Sequence, residues 1–362
     1  MVDASSLLRR EPETPKERGA YNLIGLTPPH PVRLSVVVPT WNAADILAPH
    51  LPRMLDEARD FPGGAEIVIV DDGSERGIEL LSELVGGAGG GVRLVRRVVH
   101  SGFAMTANAG AQAAEGEYLL FLNTDMHVEP GCFSRLVRVL ELQSDLFAVT
   151  PVMINLEGGF PESTIRTRFH RGVFDHLFPG RSGQPAPGPG MVRRIAYACG
   201  GALACRRDRF LGLGGFPELL SPVSWDDAGL GWVARRHGFE MLEVSDARVL
   251  HDHARTIGRE ITARRIAIHY ERNRLLFTWV HLAGWQAWLR HGLWLPLRLA
   301  AALVRREPLL AALREALGRL GDVRRTRSRL ADTHGEAVRL LRELQRAGAE
   351  GWPRDPDSAS RS

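Results

Sequence analysis

Cysteine and lysine are nearly missing from this chain of 362 residues. Three cysteines, Cys132, Cys199 and Cys205, cannot complete a disulfide set, and none belongs to a C-x-x-C pair, which excludes a disulfide scaffold and a thiolate zinc site. A reducing compartment, the cytoplasm, is the expected setting. Lys16 is the only lysine, so almost all the positive charge is arginine. Long apolar runs are lacking too. The N-terminus, MVDASSLLRREPETPKERG, has no signal-peptide core and carries acids that a transit peptide avoids. Near the C-terminus, Arg290, His291 and Arg298 interrupt every apolar window of about 18–20 residues, so a spanning helix is not expected.

What is present reads as globular. Apolar residues make up 44% and charged residues 24%, close to the averages for folded domains, and the length suits one large α/β domain with an appendage. The formal charge of +4 is unevenly spread, because 13 arginines face six acids between Arg290 and Arg346 and leave the rest slightly negative. A basic block of this kind meets phosphate-bearing partners such as anionic lipid or nucleic acid.

Short β-branched runs alternate with helical patterns. LSVVVP at 34–39 predicts a buried strand and 44–58 a helix; EIVIV at 66–70 is followed by a helix over 75–84, 92–95 by a helix over 104–114, and 118–122 is a fourth strand. Such βα units predict a mostly parallel, doubly wound sheet, whose ligands bind beyond the carboxyl ends of the strands. Those ends carry Pro39-Thr40-Trp41-Asn42, Asp71-Asp72-Gly73-Ser74 and Asn123-Thr124-Asp125. The segment 160–190, with its GQPAPGPG tract, reads as a mobile loop or lid. Helices are expected near 206–213 and 226–237, and mostly helix over 258–304.

Each polar cluster has a plain structural reading beside a chemical one. An Asp after a strand is an ordinary turn residue, yet at Asp125 it also lies where a divalent cation would bridge to a diphosphate. Asp71 can shape its turn or accept hydrogen bonds from a ribose or base. Asp226 and Asp227 open a helix; capping explains one acid, and a pair raises one pKa, as a general base requires. In His251-Asp252-His253, a neutral imidazole could complete a metal shell or be structural.

From Leu34 to about Leu282 the stretches LSVVVPTWN, EIVIVDDGS, SGFAMTANAGAQAAEGEYLLFLNTD, GGALACRRDRFLGLGGFPE, SWDDAGLGWVARRHGFEM, RVLHDHARTIG and YERNRLLFTWVH resemble the family 2 glycosyltransferases in order and spacing. The resemblance implies a GT-A fold, a Rossmann-like sheet flanked by helices, with a helical C-terminal extension. It implies Asp227 as catalytic base, Asp125 and His251 on a Mg²⁺ or Mn²⁺ ion, and Asp71 as the acid that reads the nucleobase. Pro39, Thr40, Asn42, Asn108, Asn123 and Thr124 fall on the nucleotide-sugar side, and Trp225 and Asp226 on the acceptor side. The sequence departs from the family pattern at Asn123, where a first Asp of D-x-D is common, at Asp226 in place of Glu, at Gly229 and at His100.

The expected organisation is a flexible leader over 1–30, a catalytic domain over 31–257, a basic helical extension over 258–350 and a disordered tail over 351–362. The implied reaction moves a sugar, with inversion, from a nucleoside diphosphate sugar to a glycan or lipid-linked acceptor of cell-surface polysaccharide or glycolipid synthesis. A catalytically inactive glycan-binding subunit and a sugar-phosphate nucleotidyltransferase are the alternatives; PTWNAAD is not the Gly-rich basic loop that the latter needs. Trp279, Trp285, Trp288 and Trp294 close to arginines suggest an interfacial helix on an anionic membrane, at the inner face of the cell membrane, against core packing or an oligomer contact. Nucleic acid is not an expected partner, because those arginines form no base-reading module.

Overall fold

The structure is a computed structural model that describes residues 22–24, 33–183, 186, 188–252 and 259–347. Most of the expected leader, His253 and the tail over 351–362 lie outside the described residues.

In chain order the first elements are β1 (Asn22–Ile24), β2 (Leu34–Thr40), α1 (Ala44–Leu47), α2 (Leu51–Asp60), β3 (Ala65–Asp72), α3 (Ile78–Gly87), β4 (Val92–Arg97), α4 (Phe103–Ala113), β5 (Tyr118–Leu122), β6 (Met126–Val128), α5 (Cys132–Leu142) and β7 (Leu146–Asn155). Then come β8 (Arg166–His170), β9 (Val173–Leu177), β10 (Val192–Arg194), β11 (Ala202–Arg206), α6 (Arg207–Gly212), α7 (Asp226–Arg236) and β12 (Glu240–His251). Helices α8 (Ala263–His281), α9 (Trp285–Arg305), α10 (Leu309–Leu317), α11 (Leu320–Arg329) and α12 (His334–Ala347) complete the chain.

The main sheet runs β1-β4-β3-β2-β5-β11-β7-β12-β10, with β6 paired to β12. Strands β4, β3, β2 and β5 are parallel, as the alternating pattern predicts. Beyond β5 the sheet is mixed: β11 is antiparallel to both β5 and β7, and β12 returns parallel to β7. The order of connection reverses between β2 and β5, which puts the crevice of a doubly wound sheet beside Thr40 and Asn123. The leader is corrected at one place, since Asn22–Ile24 adds an antiparallel edge to β4.

The sheet is covered on both faces, and strand alternation sorts the side chains. On β3, Val68 and Val70 pack with the alanines of α4, while Ile67 and Ile69 join Met54, Leu81, Phe133 and Leu136 on the other side. Helix α4 lies very close to the sheet. A Cβ on Gly110 would sit 2.3 Å from Val37 Cγ1, so that approach requires glycine.

Three expectations are changed. The helix expected over 44–58 is divided into α1 and α2, because Pro49 lacks an N–H and its ring blocks a continuous helix. The expected lid contains the hairpin β8–β9, turned through Arg171 (φ 47°) and Gly172 (φ 77°), two successive positive φ values that match strand twist. The hairpin is packed: Phe174 is fully buried against Trp232 and Phe277, and its N–H donates to Thr278 Oγ1. Finally, 258–304 is not one interfacial helix. Helix α8 belongs to the core, with Leu275, Leu276, Phe277 and Trp279 buried. Part of the basic block serves this packing, since Arg327 donates to the carbonyls of Trp279, Val280 and Leu282 at the end of α8, and Arg236 on α7 donates to Leu330 O and Thr333 Oγ1.

Candidate active site

A cavity of about 490 Å³ opens at the reversal point of the sheet. Its walls include Pro39 and Thr40 from β2, Asp72 from β3, Asn123-Thr124-Asp125 after β5, Gly200 and Gly201 before β11, Asp226 and Asp227 at the start of α7, and His251 at the end of β12. Six separate elements therefore bring polar groups to one space.

Asp125 and His251 meet because β12 ends beside the β5–β6 turn. The N–H of Asp252 donates to Asp125 O, and His251 Nε2 lies 3.6 Å from Asp125 Oδ1. On its other side, His251 Nδ1 is 2.9 Å from Glu162 Oε2, and Glu162 is itself held by Asn155 Nδ2. A carboxylate can only accept there, so Nδ1 carries a proton; the Nε2 that faces Asp125 is protonated as well in the ion-free site, and a divalent ion would have to displace that proton to take the Nε2 lone pair. Burial lowers the His251 pKa, but hydrogen bonds to Asp125 and Glu162 outweigh it and raise the value to about 9. These donors fit a hard divalent ion held by one carboxylate, one imidazole and phosphate oxygens. Among the described residues no group of three or more His, Cys, Asp or Glu is placed to hold an ion, so the phosphates would have to supply the remaining ligands.

Across the cavity, the acid pair sits at the N-terminus of α7. Asp227 Oδ1 accepts from the Ala228 N–H at 2.7 Å and Oδ2 from the Gly200 N–H at 3.3 Å. Burial pushes both acids above the usual carboxylate range, and the charge on Asp227 pushes Asp226 up further. The two carboxyls sit side by side and titrate as a pair, so ionising one opposes ionising the other. The turn that presents them is strained, with Ser224 and Trp225 both at φ 72°, a region that non-glycine residues rarely adopt. Asn273 of α8 holds it: the Asn273 Nδ2 donates to the carbonyls of Leu220, Val223 and Ser224.

Four expected site residues do not line the cavity. Asp71 is fully buried on the opposite face of β3, where it pairs with Arg96 (3.0 Å) and accepts from the Ser74 N–H; its neighbour Asp72 reaches the cavity, because adjacent strand residues point to opposite sides. Asp72 accepts from the N–H groups of Ser101 and Gly102 and lies 2.9 Å from His100 Nδ1, which stacks on Trp41 at 3.7 Å. Asn42, at φ 50°, ties the loop after β2 to the loop after β3 by accepting from Glu75 and Arg76. Asn108 exchanges hydrogen bonds with the backbone of Phe216. Trp225 is buried against His176, Tyr270 and Phe277, so it anchors the turn instead of facing an acceptor.

Sequence reasoning missed Asp72, Glu162, Gly201 and Asn273. A period-two count along β3 separates Asp71 from Asp72 but does not say which face holds the ligand. The Gly-Gly pair was legible as a close approach: a Cβ on Gly201 would lie 2.9 Å from Asn123 Nδ2. Glu162 and Asn273 sit 89 and about 50 residues from their partners and carry no local signal.

A mixed α/β sheet with this crevice, an acid–imidazole pair on one wall and an acid pair on another, defines a GT-A type of domain. Residues 35–201, a little under half of the chain, match the family model for glycosyl transferase family 2. Among curated relatives, a putative polypeptide N-acetylgalactosaminyltransferase 13 of Drosophila melanogaster is 30% identical over 168 residues, 43% of this chain and 30% of the relative. The O-antigen biosynthesis protein RfbC of Myxococcus xanthus is 27% identical over 277 residues, 72% of this chain and 20% of the relative. The chain thus spans less than a third of the length of either. In fold it is similar to GalNAc-T7 crystallised with UDP, GalNAc and Mn²⁺ (TM-score 0.54, 19% identity, 69% of this chain and 48% of that one). It is similar also to the 1–349 portion of S. aureus TarS in complex with UDP-GlcNAc (TM-score 0.52, 16% identity, 90% and 93% covered).

Proposed function

We propose that the protein is an inverting glycosyltransferase that moves a sugar from a nucleoside diphosphate sugar to a hydroxyl of a glycan or lipid-linked acceptor. The observation that carries this reading is a single cavity with Asp125 and His251 on one wall and the burial-raised carboxyl of Asp227 on another. The nucleotide and nucleotide-sugar complexes of the neighbouring folds support the donor class, and the O-antigen relative supports cell-surface polysaccharide synthesis.

The donor lies along the ends of β2, β3 and β5, near Pro39, Thr40, Asp72, Asn123 and Thr124. Thr40 Oγ1 is buried without a hydrogen-bond partner among the described residues and is free to meet a donor group. Asp71, Asn42 and Asn108 act behind these walls by holding the loops in place. Asp125 and His251 would hold a Mg²⁺ or Mn²⁺ ion, which would supply positive charge to the diphosphate. Asp227 takes the proton of the acceptor hydroxyl as its oxygen attacks the anomeric carbon, while the bond from that carbon to the leaving phosphate oxygen breaks. Attack from the opposite face inverts the configuration. Asp226, beside it in the wall of the cavity, offers the acceptor a hydrogen bond.

The test is Asp227→Asn, assayed for nucleoside diphosphate release, with donor binding followed by thermal shift. Turnover is expected to fall at least ~10²-fold while the donor still stabilises the fold. Turnover near the wild-type value would remove Asp227 from the reaction and this mechanism with it.

A further inference from the structure

Helix α9 is fixed to the protein by one face and leaves a broad apolar face uncovered. Ala287, His291 and Ala302 point inward. His291 is a buried polar key: its Nε2 accepts from Trp279 Nε1 at 2.9 Å and its Nδ1–H donates to Gly172 O at 2.6 Å. A Cβ on Gly172 would lie 2.8 Å from His291 Cα, so the hairpin tip closes directly on the helix. The rotation of α9 about its axis is therefore set by specific hydrogen bonds.

With that rotation fixed, Trp285, Leu289, Leu293, Leu297, Leu303 and Val304 are 53% to 84% exposed. At 3.6 residues per turn they fall within one arc of about 120°. Trp288 and Trp294 stand exposed at its two borders. A soluble surface seldom shows so continuous an apolar strip without a use for it. The charge on the helix is one-sided: α9 contains Arg290, Arg298 and Arg305, is followed by Arg306, and has no acid along its length. Arg171 from the hairpin turn lies over the Trp294 ring at 5.6 Å and adds to the same border. No described helix is long and apolar enough to cross a membrane.

We propose that α9 is a membrane-docking element that lies in the surface of an anionic bilayer, with the Trp285–Leu289–Leu293–Leu297 arc in the acyl boundary and Arg290, Arg305 and Arg306 at the headgroups. Tryptophan side chains at the edges of the arc match the headgroup level, where an apolar ring with one N–H donor is best placed. The helix has no acid of its own and its arginines are complementary to anionic lipid; Glu307, just beyond its end, lies 3.8 Å from Arg305 and offsets part of that charge. Docking here would bring a lipid-linked acceptor and the enzyme to the same plane, although the binding itself needs no turnover and is independent of the glycosyltransferase reading.

Vesicle flotation of the full chain tests this. The wild type is expected to float with phosphatidylcholine–phosphatidylglycerol vesicles at low salt, to be released by added salt, and to stay behind with phosphatidylcholine alone. Leu293→Glu with Leu297→Glu should weaken partitioning at least tenfold, and Arg290→Gln about fivefold. All three positions are exposed, so the thermal transition should stay where it is, and nucleoside diphosphate release with a water-soluble acceptor should be unchanged. A wild type that never floats, or a double variant that floats as well as the wild type, would overturn the proposal. So would a wild-type dimer that the double variant converts to monomer while vesicles capture neither, because the arc would then be covered by a second copy.

Discussion

Asn273→Leu is the perturbation that most directly probes how the base is positioned. Asn273 is fully buried on α8, and its Oδ1 accepts from Arg272 Nε at 2.9 Å, which turns the Nδ2 group toward the carbonyls of Leu220, Val223 and Ser224. Nδ2 has two hydrogens, so two of these carbonyls are satisfied at any moment. Leucine has the same number of side-chain heavy atoms with the same branching, and no donor. Leaving two buried carbonyls unpaired costs about 1–3 kcal/mol each, or about 2–6 kcal/mol of stability. The same bonds hold Ser224 and Trp225 at φ 72°, a strain of about 1–3 kcal/mol per residue. Once the bonds are lost, the turn relaxes and carries the start of α7 with it. A shift of about 1 Å at Asp227 is enough to cost ~10²-fold in turnover. Urea titration should thus show the stability loss, and steady-state assays should show a fall in kcat with donor KM within a few-fold, because the donor walls are built from β2, β3 and β5. Asn273→Asp retains the shape and the bond to Arg272 but not the donors, and should lose kcat similarly. Wild-type kcat in Asn273→Asp would refute a positioning role for this amide.

Two further outcomes follow from the site. Glu162→Gln should weaken Mn²⁺ affinity about 10–100-fold in a calorimetric titration with the fold intact, since the partner that fixes the His251 tautomer is replaced; unchanged affinity would separate His251 from the ion. Asp227 and Asp226 have pKa values raised by burial, so the acid limb of kcat/KM should lie above pH 4 and persist in Asp226→Asn. For stability the sign is the reverse of a salt-bridged acid: the folded state binds more protons than the unfolded chain above the unfolded pKa near 3.9, so wild-type stability falls as pH rises through the raised values. Asp226→Asn should flatten that fall in a series of melts from pH 4 to pH 8, and an unchanged slope would mean that Asp226 is not the group responsible.

The sequence by itself determined the parallel half of the sheet and the residues most exposed to chemistry. Buried parallel strands write themselves as β-branched runs, and the turn that follows each run carries the polar residue, so Thr40 and Asp125 were legible there, whereas Asp227 was legible as one of two acids opening a helix and as the base only through the family resemblance. His251 was legible as the residue ending an apolar run. The tertiary structure alone decided which of two adjacent aspartates, Asp71 or Asp72, faces the cavity, because alternation gives two faces and only the packing of α4 assigns them. It also decided that Glu162 orients His251 and Asn273 holds the acid-bearing turn, contacts made across dozens of residues. The four C-terminal tryptophans show the same division. All four lie in similar surroundings in the sequence, yet Trp279 is buried and donates to His291, whereas Trp285, Trp288 and Trp294 remain exposed. Composition sets the amphipathic character of α9, but its orientation is fixed by a hydrogen-bonded histidine and the tip of a distant hairpin, and no local pattern encodes that contact.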